Sequence, residues 1–233
     1  MSDTMQIWDP RRAAVGAHLD IASALLPLKD SEILSLAIGA GDIAPAIAVA
    51  VKSATVTVLE TEGATDDPPP LSNLTYKAGA ADRIPAEDES FDIVIVNGLL
   101  SRIPEDRRSP ALREIRRVLR PGGLAYVAEP TPGGAFNEIS RVFKDEKQDR
   151  LATFELIRGT VSSGAMVLVE QKFFQMSVVI ADFAAVERGY VPPDARISGA
   201  QKSEARKKFE RHVGPKGATF QIPTRIDLLR KSD

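Results

Sequence analysis

Two glycines interrupt the chain at a telling place. Gly39-Ala40-Gly41-Asp42-Ile43-Ala44 follows the apolar run Ile33-Leu34-Ser35-Leu36-Ala37-Ile38 and opens a segment with helical spacing. Glycines between a buried strand and a helix let the backbone approach a ligand closely, and the first N–H groups of a helix have no intrahelical acceptor. Glu60 closes the β-branched run that starts at Ala54, roughly 20 residues further on, where a strand-end carboxylate can accept hydrogen bonds from two ribose hydroxyls. Turn and acid together describe a cradle for a nucleotide-type ligand. The bland alternative is a tight strand-to-helix turn and a solvated acid. The same spacing fits the dinucleotide pattern, so an NAD(P)-dependent oxidoreductase stands beside an adenosyl-binding enzyme at this point.

Other chemistry is sparse. The chain has no cysteine, which excludes disulfides, thiolate metal sites and a cysteine nucleophile, and no metal site is expected. Its histidines are His18, read as a core or surface residue of the first helix, and His212, read as a cation at the end of a charged helix. Arg102, Arg107, Arg108, Arg113, Arg116, Arg117 and Arg120 crowd one region, interleaved with Glu105, Asp106 and Glu114. They are read as a solvated helix face before a grip for an anionic acceptor or RNA.

The elements that must position these residues follow from periodicity. Apolar spacing predicts helices over residues 10–26, 43–51, 104–120, 136–157, 181–188 and 203–212. Short apolar or β-branched runs predict strands over 33–38, 54–59, 74–77, 91–96, 124–129, 166–179 and 219–229. Pro121-Gly122-Gly123 is expected to stop the helix before the fifth strand. Strands joined by single helical crossovers imply an α/β, Rossmann-like fold with a mostly parallel sheet and helices on both faces. The stretch 161–179, with Met166, Phe173 and Phe174, is read first as a core strand, second as a homodimer or heterodimer contact, and third as a substrate lid.

An ordered series of motifs narrows the choice. Leu34 to Gly41, Glu60, Arg83-Ile84-Pro85, Ser90-Phe91-Asp92-Ile93-Val94, Ile103-Pro104, Leu112-Arg113-Glu114 and Leu119-Arg120-Pro121-Gly122-Gly123-Leu124 together resemble the class I S-adenosylmethionine (SAM) dependent methyltransferases, in particular the type 11 group, over about residues 30 to 130. The resemblance implies a seven-stranded sheet whose last strand is antiparallel, with SAM across the carboxyl ends of the strands. It places Ala37, Ile38, Gly39 and Gly41 at the methionine part, Glu60 at the ribose, Ala81 and Asp82 at the adenine, and Asn97 beside the transferred methyl group. Three positions depart from the family pattern: Ser35 and Ala80 stand where members carry acids, and Ala37 where they carry a glycine. The expectation is a SAM-dependent methyltransferase with a small-molecule acceptor. A catalytically inactive, methyltransferase-like binding or dimerisation protein comes second.

Composition bounds the rest. At 233 residues, 43% of them hydrophobic, the chain suits one domain with an ample core. That domain is divided into an N-terminal capping helix (1–29), a cofactor-binding core (30–130) and a C-terminal half carrying a substrate or dimer insert and the closing strands (131–233). A net charge of -2 gives no reason to expect nucleic acid. No apolar run reaches membrane-spanning length and no basic-then-apolar leader opens the chain, so the expectation is a cytoplasmic protein with no membrane contact.

Overall fold

A computed structural model describes residues 10–37, 43–60, 71–191 and 196–232. Helix α1 (Pro10–Leu25) leads into β1 (Glu32–Ala37); α2 (Ala44–Ala50), β2 (Thr55–Glu60), β3 (Leu74–Ala78), β4 (Phe91–Asn97), α3 (Glu105–Val118) and β5 (Leu119–Pro130) follow. The second half holds α4 (Ala135–Ser140), α5 (Lys147–Ser162), β6 (Met166–Ile180), α6 (Phe183–Tyr190), α7 (Gly199–Glu210), β7 (Val213–Gly214) and β8 (Gly217–Lys231).

The described strands form one sheet in the order β3-β2-β1-β4-β5-β8-β6, with β7 paired to β8. The contacts β1–β2, β1–β4, β2–β3 and β4–β5 are parallel, whereas β8 runs antiparallel to both β5 and β6. This is the mostly parallel α/β sheet expected from the sequence, with the antiparallel final strand inserted between β5 and β6. Ile33, Leu34 and Leu36 of β1 are buried on both faces of the sheet, as an apolar run without alternation requires. One face packs Leu34, Leu36, Val94 and Val96 against Ala111, Leu112, Ile115 and Val118 of α3 and Ile157 of α5. The other packs Ile33, Ile93, Ile95 and Tyr126 against Ala22 of α1 and Ile47 and Ala48 of α2. A third cluster joins Phe136, Phe183, Phe209 and Phe220 among α4, α6, α7 and the start of β8, with Phe136 and Phe220 centred 5.2 Å apart.

Four expectations are corrected. Strand β5 starts at Leu119 instead of Leu124: Leu119 pairs Phe91, and the register then slips so that Leu124 pairs Ile93. Pro121-Gly122-Gly123 therefore lies inside the strand as an irregularity; Gly122 has φ +74, and a Cβ on Gly123 would meet the Arg120 carbonyl at 2.9 Å. The helix expected over 136–157 is two helices, because the Asp145 carboxylate accepts from the Lys147 N–H at 3.0 Å, and Arg150 reaches back to the Thr131 carbonyl at 3.0 Å and to Glu146 at 2.8 Å. Helix α7 starts earlier, where Ser198 and Gln201 form a capping box, and it ends before His212. That ring instead lies 4.8 Å from Phe220. Finally, β6 is a strand, but residues 167–173 are exposed and not core. With β8 holding the place beside β5, β6 becomes the outermost strand.

His18 is 1% exposed and sits between Tyr126 and Phe174, 5.6 and 5.4 Å away. Among the described residues its Nε2 finds no hydrogen-bond partner, and burial pushes its pKa from 6.5 down to about 4. The folded chain therefore holds this imidazole neutral where the unfolded chain would protonate it. The resulting stability is complete above pH 6.5 and is lost as the pH falls toward 4, by about 3 kcal/mol in all. Urea unfolding at pH 7 and pH 5 should show a loss in the wild type that His18→Leu largely removes. An equal loss in both proteins would contradict this assignment.

Candidate functional site

The chain runs outward from β1 to β2 and β3, then returns to the other side of β1 to form β4 and β5. The strand order thus reverses between β1 and β4, and in open α/β sheets ligands bind beyond the carboxyl ends of the strands at such a switch point. Backbone register fixes what lies there. Ala37 is the Cα partner of Glu60 on one side and of Asn97 on the other. Neighbouring strands lie about 4.8 Å apart, so these three positions line the sheet's carboxyl edge over roughly 10 Å. Ala78 of β3 extends the row beside Glu60. Three of the residues singled out in the sequence are brought together. Ile38, Gly39 and Gly41 lie outside the described residues.

Past β3 the chain turns tightly. A Cβ on Gly79 would meet Leu59 Cδ1 at 2.6 Å and Pro85 Cδ at 2.8 Å, so any larger residue here would have to displace these two side chains. The Arg83 N–H donates to the Ala80 carbonyl at 3.0 Å. Ala81 is buried against the core that holds Leu59 and Ile84. Asp82 faces outward and is gripped by Arg107 of α3, whose Nε donates to Oδ2 at 2.6 Å. The Arg107 hydrogen bond holds this carboxyl below the usual carboxylate range. The Asp82 carboxylate is thereby turned toward α3.

The segment after β4 is held by a buried polar network that sequence reasoning missed. Gly98, at φ +61, donates its N–H to the Ala128 carbonyl at 2.8 Å. The Leu100 N–H and the Ser101 hydroxyl donate to the two oxygens of Glu129, each at 2.7 Å. Glu129 is 1% exposed; burial pushes its pKa up, against the pull of those hydrogen bonds. Arg108, 3% exposed, donates to the Ser101 and Ile103 carbonyls and, at 2.6 Å, to Asp149 of α5. The arginine-rich helix is therefore not simply a solvated face: Arg107 and Arg108 tie α3 to Asp82 and to α5, and Arg117 pairs with Glu114 and Asp88. The signal for Arg108 was its place on the same helical ridge as Ala111, Leu112 and Ile115. A hollow of about 510 Å3 lined by Arg113, Arg116, Lys231 and others lies beside the amino end of β4, on the opposite edge of the sheet from the switch point. Among the described residues, no group of three or more His, Asp or Glu side chains is placed to hold a metal.

Replacing Glu129 with glutamine keeps its shape but turns an amide donor toward one of the two donors it now satisfies. A buried polar group without a partner costs about 1–3 kcal/mol. Urea denaturation should show Glu129→Gln destabilised by that amount, whereas unchanged stability would mean the network does not hold this segment.

Residues 34–127 match the family model described as "Methyltransferase domain". The chain is 35% identical over 104 residues to the demethylmenaquinone methyltransferase of Chlorobaculum parvum, a stretch that covers 44% of this chain and 42% of that protein. The Chlorobaculum tepidum enzyme of the same name matches to the same extent, so the chain spans less than half the length of these relatives. Among solved structures, the YcgJ protein from Bacillus subtilis superposes with a TM-score of 0.61 at 15% identity, covering 95% of this chain and 99% of that one. The cyclase SpnF superposes at 0.59 and 17% identity, covering 97% and 85%. At these identities the superpositions speak for the fold alone. Residues 34–127 thus resemble a methyltransferase domain, and they lie on a mostly parallel sheet that β8 joins antiparallel.

Proposed function

We propose that the chain binds SAM across the carboxyl ends of β2, β1 and β4 and catalyses methyl transfer to a small-molecule acceptor. The observation that carries this reading is the register in which Ala37 faces both Glu60 and Asn97. An adenosyl ligand needs an acid at the end of the second strand and close backbone approach at the end of the first. The pairing of Ala37 with Glu60 supports this reading. In this reading Glu60 accepts from the ribose hydroxyls, and the turn through Ala81 and Asp82 borders the adenine. Ala37, Ile38, Gly39 and Gly41 border the methionine part. Asn97, at the end of β4, borders the reacting centre, and the Glu129 network fixes the segment that follows it.

When bound, SAM supplies a methyl group on a positively charged sulfur, which an acceptor O, N or C atom can displace directly. The protein's share is to hold the two reactants in line and exclude water, and positioning can account for much of such a rate. No histidine serves as a base in this account: His18 of α1 is buried against Tyr126 and Phe174, and His212 lies against Phe220. An acceptor that is already nucleophilic does not need one.

Two observations favour a weakened site over a strong one. Ser35 is fully buried in the middle of β1, paired with Val58 and Ile95. Ala80, beside the row of strand ends, offers no carboxylate to an adenine amino group. Each charge-assisted bond lost in this way is worth about 1.5–3 kcal/mol. A chain that uses the fold only for binding is the second reading these departures support, and an NAD(P) enzyme is the third.

Calorimetric titration separates them. SAM or its demethylated product should bind one to one, Glu60→Ala should weaken binding at least tenfold, and Ala80→Asp should tighten it by about tenfold, the equivalent of 1.4 kcal/mol. No heat from either ligand at millimolar concentration, in the wild type and in Ala80→Asp alike, would end the proposal. Heat from NADH instead would select the third reading.

A further inference from the structure

Strand β6 closes one side of the described sheet, so one row of its backbone N–H and C=O groups faces away from β8. Long edges of this kind pair with other chains unless charge, proline or cover blunts them. Here the edge is apolar. Of the seven large hydrophobic side chains that are exposed among the described residues, Val167, Leu168, Val169 and Phe173 fall within seven consecutive positions of this strand, and Phe173 is 67% exposed. The two charges among them, Glu170 and Lys172, are bonded to each other at 3.1 Å and are half exposed.

The pattern is self-complementary. In antiparallel pairing of two identical strands about a twofold axis, opposed residues add to a constant, and backbone geometry requires that constant to be even, so the axis passes through a residue. Centring it on Glu170 would put Glu170 against its own copy, and centring it on Lys172 would put two lysines face to face. Like charges directly opposite destabilise a sheet. Centring it on Gln171 puts each Glu170 opposite the other copy's Lys172. Val169 then meets Phe173, and Leu168 meets Phe174. The bulge at Val169, between Leu168 and Glu170, lies at the margin of this short ladder.

We infer that the exposed edge of β6 is a docking surface for a second copy of this chain, joined antiparallel about Gln171 to give one continuous sheet across a twofold axis. The pairing brings the exposed apolar side chains of the two copies into cross-strand contact, satisfies the outward backbone groups and closes a ring of four alternating charges. It lies across the sheet from the row of Ala37, Glu60 and Asn97, so each copy keeps its own switch point and the two sites do not share residues.

The absence of cysteine from the sequence permits a direct test of register. Residues opposed on the axis have Cα atoms about 4.5–5.5 Å apart, within disulfide range. Gln171→Cys should therefore cross-link into a covalent dimer under mild oxidation. Gln175→Cys, which meets position 167 of the other copy and lies far from its own equivalent, should not. In sedimentation equilibrium the wild type should be dimeric. Lys172→Glu should weaken the dimer at least tenfold, and the charge swap Glu170→Lys with Lys172→Glu should restore it. A monomeric wild type at hundreds of micromolar, cross-linking at both cysteine positions alike, or a dimer indifferent to Lys172→Glu would each overturn the inference.

Discussion

The parallel pairing of β1 with β2 on one side and β4 on the other is the constraint from which the rest of this molecule follows. A slip of one residue in either pairing would turn Ile33 and Leu34 to the wrong faces of the sheet and move Ala37 out of line with Glu60 and Asn97. Two features oppose such a slip. The buried apolar residues of β1 have matched layers above and below. At the amino end, the Asp92 carboxylate accepts from the Glu32 N–H at 2.8 Å and from Arg120 at 2.6 Å, tying β1, β4 and β5 together. Burial raises the pKa of Asp92, but these bonds outweigh it and hold the group below its usual range.

The carboxyl edge is fixed by different means. There the chain must leave the sheet, so backbone ladders give way to side-chain acceptors. Glu129 and Arg108 satisfy the backbone of residues 100–103 from behind, and Arg107 braces the turn through Asp82. The carboxyl edge thus combines a row of paired strand ends with two loops tied to α3 and α5. The segment beyond β5 adds its own aromatic cluster, which supports α4, α6 and α7 without contributing to the row of strand ends.

Much of this was legible in the sequence, and the failures have physical causes. Runs such as Phe91 to Val96 announce buried parallel strands because nothing else makes so short an apolar stretch, and the motif order placed them correctly. The Pro121-Gly122-Gly123 element was misread because the same residues that stop a helix also permit a bulge inside a strand. The stretch 161–179 was read as core because hydrophobicity alone does not say which strand takes the inner place; β8, last in the chain, took it. Glu129 and Arg108 were passed over because a charged residue in an apolar pattern looks like a solvated exception until its partners, distant in sequence, are in place. The ends of β2 and β4 were legible because their apolar runs stop at Glu60 and Asn97, and the register sets both beside Ala37.

The account rests on Ala37, Glu60 and Asn97 forming one ligand-binding edge. Backbone amide NMR during titration with the demethylated product of SAM tests that most directly. The account predicts that the largest shift changes fall on the amides of Ala37, Glu60 and Asn97 and on the turn at Ala81 and Asp82. Changes confined to the hollow around Arg113, Arg116 and Lys231 at the other edge of the sheet, or to β6, would contradict it.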